Sequence, residues 1–529
     1  MTIADLENEI VVLKKSLLEK DKLIEELKFE NERLREQLNN FIRHRFGQCS
    51  EKKLPQDQQD LDIPSQDELE FENISYQRRK RQKRQDKLSP DLPRQKVYYA
   101  LPEEILICQC GCGCKLEKIG EEVTEQLVTI PEKVYVRQHI RFKYGGCQYD
   151  STILTAPMLA QPIAKGLASP EFIAHTAVSK YEDHLPLYRQ EQRSKRYGVP
   201  MARQTLCDWL LQGAKWGQLV VARMKEIALQ APMFNTDDTP TPVLAPGTGK
   251  TKTGRLWVYA GHGGNATPYI IYEYTENRKN EGPVNFFKDY TGYIQADACP
   301  AYDAVFASKD QNKKRPIEIG CWMHARRGFY QVARNTEKRG LAYDAVQYIR
   351  VLYAVEKIAR DKQLTYEQRY EIRQEKSVPV LNEFKSWLDE KSGLVLPRSA
   401  LGESITYALN QWKALYRYTE NGMLTIDNGY AERLMKPTVL GKKNFLFFGS
   451  DGGGEMAATY YSLIQSALLH GLNTEEYLTD IFIRLPAMLY RSIDELLPHN
   501  WRPCSPYNLG KPIIVAELLA QFPQIINSS

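Results

Sequence analysis

Apolar residues recur at alternating three- and four-residue intervals from Ile3 to Phe41. Ten of the twelve a and d positions of this heptad repeat are apolar, so it favours a coiled coil over a single amphipathic helix. Isoleucine at a with leucine at d is typical of a parallel dimer, and the lone Asn31 at an a position fits that register. We therefore expect residues 1–47 to join two or more copies of the chain.

From about residue 226 the pattern becomes that of β-strands. Four β-rich runs are separated by Gly, Pro and Asn: APMFNTDD, RLWVYAGHGG, PYIIYEYT and GYIQADAC. Between about 325 and 425 the period changes to that of charged amphipathic helices, with apolar stripes such as Val346, Ile349 and Leu352. A glycine-rich stretch, GSDGGGE, is predicted to be a loop before one more helix. The pattern indicates an α/β domain with a helical insertion.

Two shorter helices are predicted within residues 184–215, joined at YGVP. The second places apolar residues on one face and Arg203 with Gln204 on another. A helix-turn-helix that reads DNA has this pattern, and so does an ordinary helical hairpin.

Residues 48–98 are polar, contain several prolines and include the basic run RRKRQKR. This composition predicts a flexible linker. The basic run is either a solvated stretch or an arm that contacts phosphates.

Cysteines cluster in the stretch CQCGCGC within residues 99–160. Alternate residues of an extended segment point to one side, so two or three of these thiolates could converge on zinc. A clean zinc site would show two CxxC pairs, whereas this segment has a surplus at one end and a single cysteine at the other. The candidate ligands are Cys108, Cys110, Cys112, Cys114 and Cys147.

The chain of 529 residues is long enough for several domains, and its ten cysteines are too few for a disulfide scaffold. The formal net charge is only +5, so affinity for nucleic acid has to come from local clusters. No run of about eighteen apolar residues occurs, and the N-terminus does not have the pattern of a signal peptide. We expect a soluble, intracellular protein without a membrane partner.

Carboxylates stand at the ends of two predicted strands, at Asp237 and Asp297. Glu432 lies one turn into the helix that IDNGYAER would start, with Asp427 or Asn428 as its cap. Three such acids can hold two divalent cations about 3.5–4 Å apart, and hard oxygen ligands suit Mg²⁺ or Mn²⁺. Acids also cap strands and helices commonly, so the residues alone leave both interpretations open.

Several long motifs resemble the insertion-sequence-66 family of bacterial transposases. In chain order they are HTAVSKYEDHLPLYRQ, TDDTPTPVLAPGTGKTKTGRLWVYAG, GYIQADACPAYDAVF, GCWMHARRGFY and IDNGYAERLMKPTVLGKKNFLFFGSDGGGEMAATYYSLI. The resemblance implies an RNase H-like core with a DDE triad, which falls by position on Asp237, Asp297 and Glu432. The chain departs from the family where Gly429 replaces an asparagine and where the distal CxxC is reduced to Cys147.

The same resemblance draws attention to Cys321 and His324, which match a CxxH element that follows the second aspartate in several DDE families. A buried Cys–His core pair is the alternative. Four basic residues are candidates for phosphate contact, with a solvated surface as the alternative: Arg326, Arg327, Lys442 and Lys443.

The expected function is that of a DNA transposase, located in the bacterial cytoplasm at the nucleoid. It would bind element ends, hydrolyse a phosphodiester and transfer the 3′-hydroxyl end into double-stranded target DNA, with Mg²⁺ or Mn²⁺ and with or without helper proteins. The alternatives are a catalytically inactive DNA-binding regulator and a metal-dependent nuclease that cuts without joining. The expected fold class is α/β multidomain: coiled coil 1–47, basic linker 48–98, Cys-rich segment 99–160, helix-turn-helix-like region 161–225, RNase H-like catalytic core 226–470 with its helical insertion at about 325–425, and C-terminal helical region 471–529.

Overall fold

The computed structural model describes residues 134–144, 154–155, 158, 160–278, 281–307, 315–334, 340–488 and 490–503. The predicted coiled coil, the basic linker and the five cysteines of the predicted zinc segment lie outside these ranges.

A mixed five-stranded sheet stands at the centre of the described residues, with the strand order β5-β4-β3-β6-β7. β3, β4 and β5 form an antiparallel meander, β6 runs parallel to β3, and β7 runs parallel to β6. A separate antiparallel pair, β1 with β2, precedes it in the chain. The strands are β1 (Lys143–Tyr144), β2 (Leu154–Thr155), β3 (Met233–Ala245), β4 (Lys250–His262), β5 (Tyr269–Thr275), β6 (Tyr293–Gln295) and β7 (Ile317–Ile319).

Helices cover both faces of the five-stranded sheet. Trp257, Val258 and Tyr259 are consecutive in β4 and all fully buried, which a sheet with one solvated face would not allow. The helices are α1 (Pro170–Tyr181), α2 (Leu187–Arg196), α3 (Arg203–Ala228), α4 (Glu281–Phe286), α5 (Pro300–Phe306), α6 (Trp322–Arg334), α7 (Leu341–Asp361), α8 (Tyr366–Ile372), α9 (Val378–Ser392), α10 (Ala400–Asn410), α11 (Trp412–Tyr416), α12 (Gly429–Phe445), α13 (Asp451–Leu469) and α14 (Thr474–Arg484). None of the described helices is both long and apolar enough to cross a membrane.

The predicted helix pair joined at YGVP is present as α2 and α3. However, α3 is 26 residues long, and its C-terminal half packs in the hydrophobic core beside the sheet. Two glycines of α3 allow α13 to approach closely, because a Cβ at Gly213 would lie 2.6 Å from the Tyr460 hydroxyl oxygen and one at Gly217 would lie 2.8 Å from Leu463 Cδ1. The sequence separates residues 161–225, 226–470 and 471–529. In the structure, the described parts of all three contribute to one hydrophobic core.

The helical insertion has a core of its own, built mainly from α6, α7, α9 and α10. The predicted stripe Val346–Ile349–Leu352 is buried in it, and so are Leu381, Phe384 and Leu388 of α9. At one side Arg373, fully buried in a short π-helical turn (Arg373–Ser377), forms a bidentate pair with Glu356 at 2.6 and 2.8 Å. The same guanidinium donates to the carbonyl oxygens of Tyr418, Asn421 and Leu424.

The predicted glycine-rich loop differs in the structure, where α13 already begins at Asp451. Ser450 caps this helix through its hydroxyl, which accepts the N–H of Gly453 at 3.2 Å. Gly454 is required by packing rather than by a turn, since a Cβ there would lie 2.5 Å from the Tyr274 ring. The pattern also missed β7 and the short helices α4 and α5, which are too brief to show a period.

Candidate active site

Asp237 and Asp238 lie within β3, which continues to Ala245, so the prediction that a strand ends at Asp237 is wrong. The two neighbouring aspartates have different surroundings. The Asp238 side chain is only 1% exposed and pairs with Arg255 of β4 at 2.5 Å and with Arg278 at 3.3 Å. Asp237 has no such cation among the ion pairs of the described residues, and its Oδ1 accepts the N–H of Asp238 at 2.9 Å. Asp238 is therefore neutralised by the fold, whereas Asp237 keeps an uncompensated carboxyl.

Asp297 comes two residues after β6. The parallel register pairs Asn235 of β3 with Gln295 of β6, so Asp237 and Asp297 follow at the same level of the sheet. Asp297 Oδ1 is buried and has no hydrogen-bond partner within the described part of the chain. A buried carboxylate oxygen without a donor is costly, so Asp297 Oδ1 is not explained by the hydrogen bonds of the described fold alone.

Glu432 approaches from the first turn of α12. Its Oε1 lies 3.4 Å from Arg327 Nη2 and 3.7 Å from His324 Nε2, both on α6. The start of α12 is fixed by Asp427, whose Oδ1 accepts the N–H of Gly429 at 2.9 Å and whose Oδ2 accepts the Tyr353 hydroxyl at 2.7 Å. Of the two predicted caps, Asn428 occupies the N-cap position, but the side chain of Asp427 accepts the hydrogen bond from the first turn.

Burial and neighbouring charges change the protonation of Asp237 and Asp297. Burial, and then the negative charges of Asp297, Asp238 and Glu432, raise the pKa of Asp237 from 3.8 to about 7, against the N–H of Asp238 that lowers it. Burial and Asp238 also raise the pKa of Asp297, while Arg278 and Arg327 oppose that shift. Both carboxyls therefore hold their protons to a higher pH than an exposed aspartate does.

The donor set suits a hard divalent cation, because it consists of carboxylate oxygens with one oxygen unpartnered. No group of three His, Cys, Asp or Glu side chains among the described residues is already arranged as a metal-binding cluster. The acids thus lie near one another without forming a closed ligand shell.

We expect metal-free protein to lose stability as the pH rises towards 7. Because the pKa of Asp237 is raised from 3.8 to about 7, the folded protein holds this proton more tightly than the unfolded chain. Its contribution to stability is fully present below pH 3.8 and is lost as the pH rises through about 7. Asp237→Asn removes the titration, so its melting temperature without divalent cation should fall less steeply with pH than that of the parent. Parallel profiles of the two proteins would contradict the raised pKa.

Cys321 and His324 have separate surroundings. The buried Cys321 thiol accepts the N–H of Asn428 at 3.3 Å, and burial raises its pKa to about 12, so it remains a thiol. His324 faces Glu432, and burial together with Arg327 lowers its pKa, which favours the neutral imidazole at pH 7.

The predicted DNA-contacting residues are dispersed over several elements. Arg203 lies 3.5 Å from Glu191, and Gln204 donates to Asp208 at 2.8 Å, both at the start of α3. On α6, Arg326 stacks over the Tyr330 ring, whereas Arg327 reaches the acids. On α12, the amine of Lys442 donates to the Pro240 carbonyl oxygen at 2.6 Å, and Lys443 is exposed.

Sequence reasoning missed the cations and hydroxyls that surround the acids, above all Arg255, Arg278 and Tyr353. The alternation of β4 could have placed Arg255 beside β3, but the pairing of β3 with β4 has to be known first. Nothing local to Arg278 or Tyr353 indicates their partners.

Sequence models of one family match four segments of the chain. The model of the transposase IS66 family matches residues 165–456, and that of the IS66 C-terminal element matches residues 462–499. The zinc-finger binding domain of transposase IS66 matches residues 106–147, and the model described as Transposase C of IS166 homeodomain matches residues 33–97.

Relatives in Sinorhizobium fredii extend the similarity. The uncharacterized protein y4jD is 31% identical over 422 residues, which cover 78% of this chain and 81% of the relative. The uncharacterized protein y4qI is 31% identical over 411 residues, which cover 76% of each chain. With more than half of its length matched by the transposase model itself, the chain belongs to the insertion-sequence-66 family of transposases.

Proposed function

We propose that this transposase cuts DNA at the ends of a mobile element and joins the freed 3′-hydroxyl to target DNA, with Asp237, Asp297 and Glu432 as the catalytic acids. The observation that carries the proposal is the convergence of their segments, since Asp237 and Asp297 each follow two residues after the paired Asn235 and Gln295, and the start of α12 is bonded to β3 through Asn428. Acids from β3, β6 and α12 would not be kept this close for stability alone, because like charges repel.

The topology of the sheet supports an RNase H-like assignment for the core. Three antiparallel strands are followed by two strands parallel to the first of them, with the acids at β3, just after β6 and on a helix that packs against β3. This arrangement places Asp237 and Glu432, nearly two hundred positions apart in sequence, on a central strand and on the helix that packs against it.

Asp237, Asp297 and Glu432 are the side chains that would hold Mg²⁺ or Mn²⁺. Such cations, when bound, neutralise charge at a phosphodiester and lower the pKa of a water or hydroxyl nucleophile. Arg327 lies beside Glu432 with its side chain 52% exposed, so the guanidinium can contact a DNA phosphate at the site. His324, neutral at pH 7, can accept or pass a proton beside Glu432.

Two further roles fall on residues outside the described ranges. We propose that Cys108, Cys110, Cys112, Cys114 and Cys147 provide the ligands of a zinc site, in keeping with the zinc-finger match. The heptads of residues 1–47 would pair two copies of the chain, which suits a reaction that joins two DNA ends.

A strand-transfer assay with labelled element ends tests the proposed function. The expected product is labelled end DNA covalently joined to target DNA, in reactions with Mg²⁺ or Mn²⁺. Cleaved but unjoined ends would instead indicate a nuclease, and bound, intact ends would indicate a DNA-binding regulator.

A further inference from the structure

Three amide side chains form a buried layer behind the three acids. Asn235 belongs to β3, Gln295 to β6 and Asn428 to the start of α12, and all three are fully buried. Each acid-bearing segment thus contributes one amide. We refer to Asn235, Gln295 and Asn428 as the amide layer.

The spacing of amide and acid is regular in each segment. Asn235 and Gln295 come two residues before Asp237 and Asp297, which is one full repeat of an extended strand. Asn428 comes four residues before Glu432, which is about one turn of a helix. In a strand and in a helix alike, this spacing puts the amide and the acid on the same face of the element. Each acid therefore has one residue of the amide layer as its neighbour on that face.

The amides are bonded to one another. Asn235 donates both amide hydrogens, one to Gln295 Oε1 and one to Asn428 Oδ1, each at 2.9 Å. Asn428 Nδ2 then donates at 2.8 Å to the carbonyl oxygen of Thr236, the residue that precedes Asp237. The start of α12, which carries Glu432, is therefore tied directly to the strand that carries the first acid.

Gln295 links β6 to the segment that leads into α12. Its Nε2 donates to the carbonyl oxygens of Gly320 at 3.0 Å and Thr425 at 2.9 Å, and its Oε1 accepts the Thr425 hydroxyl as well as the Asn235 amide. The strand that leads to Asp297 is thereby bonded to the segment that leads into α12.

The orientation of Asn235 follows from its partners. Both of its N–H groups face oxygen acceptors, so its Oδ1 must accept from His262 Nε2, 2.5 Å away. His262 then carries a proton on Nε2, and burial lowers its pKa, so the imidazole is neutral at pH 7. The network holds the three segments together without a formal charge.

We propose that the amide layer sets the spacing of Asp237, Asp297 and Glu432, and that Asn235, Gln295 and Asn428 are positioning residues of the reaction. The inference rests on the proposed function, since it assigns the layer a role towards the cations of that site. The three acids repel one another, so something other than the acids has to keep their segments together. Lysine or arginine would do so by charge and compete with the cations, whereas neutral amides hold the backbones and leave the acids available.

The test is Asn428→Ala, with binding of Mn²⁺ measured by the electron paramagnetic resonance of the free ion. Binding that is lost in Asp237→Ala defines the site and separates it from other metal-binding segments. Partners in the outer shell of a metal site contribute about 10–100-fold to metal affinity, so Asn428→Ala should weaken this binding by that factor. Strand transfer should fall at least as much in Mg²⁺.

Ser462→Ala is the matched control. Ser462 is also fully buried and also ties a helix to a strand, since its hydroxyl accepts the N–H of Tyr272 of β5 at 2.7 Å from α13. It contacts none of the three acids in the hydrogen bonds of the described residues. The control should lose comparable thermal stability and keep parental Mn²⁺ affinity.

The outcomes separate the two hypotheses. Mn²⁺ binding that does not depend on Asp237 would overturn the proposed function. Binding that depends on Asp237 but is equal in Asn428→Ala and Ser462→Ala would overturn only the role of the amide layer. Should Asn428→Ala not fold, Gln295→Met preserves side-chain length while removing the bonds of Gln295, and the same comparison with Ser462→Ala decides the matter.

Discussion

Replacing Asp237, Asp297 or Glu432 with alanine should abolish cleavage and joining of element ends while leaving end binding nearly intact. Loss of an outer-shell partner already costs about 10–100-fold, so loss of a direct ligand should cost more than about a hundredfold in rate. Binding should persist because affinity for DNA comes mostly from phosphate contacts elsewhere on the protein. The rates are measured by strand transfer and the affinity by titration of labelled ends at fixed salt.

Asp389→Ala is the matched control for these three variants. Asp389 is an acid of the helical insertion whose side chain is 54% exposed and pairs only with Lys385, four residues earlier, in the ion pairs of the described residues. Its replacement should leave joining at the parental rate. A purified Glu432→Ala protein that joined ends at the rate of Asp389→Ala would show that the triad is wrongly assigned.

Asp238→Ala should lose activity for a different reason, because its free energy of unfolding should fall by about 3–5 kcal/mol. Its carboxylate is almost fully buried between Arg255 and Arg278, and truncation leaves the Arg255 guanidinium, whose side chain is 16% exposed, without its counterion. Denaturant unfolding of the parent and Asp238→Ala measures the difference. An exposed pair contributes little, so Asp389→Ala should change stability by no more than about 0.5 kcal/mol in the same experiment.

Asp238→Ala is therefore not a suitable control for Asp237→Ala. On sequence alone Asp238 is the obvious mild control for Asp237, since the two acids are adjacent. The structure shows instead that Asp238 is committed to two arginines, so lost activity in Asp238→Ala would report unfolding. A destabilisation no larger than that of Asp389→Ala would show that this buried pair is not needed for the fold.

The elements with a clear period were predictable, and their pairing was not. The strand that precedes Asp297 and the helix that begins before Glu432 follow from alternation and capping signals within a few residues. The neighbourhood of Asp238 depends on β4 and on the segment after β5, which only the folded sheet brings together. The structure brings the segments of the three acids together, and the catalytic roles of the acids stay predictions.

The hydrogen-bond partners of the amide layer could not be predicted from the sequence either. Asparagine and glutamine in a strand or at a helix start are usually interpreted as turn or capping residues, and the sequence predicts Asn428 as one of two candidate caps of α12. Its side chain makes no capping bond and instead crosses to β3. Local preference cannot reveal this, because the partner lies 193 residues away in the chain.

The two ends of the helical insertion are held by a single side chain. Gln295 binds the carbonyl of Gly320, where the chain enters the insertion, and that of Thr425, where it leaves, and the N–H of Trp322 bonds to the Ile426 carbonyl at 3.2 Å. A segment whose ends meet and whose interior has its own core can be gained or lost without rerouting the rest of the chain. The insertion therefore meets the sheet at one closed junction, so its helices can open locally without separating Gly320 from Thr425.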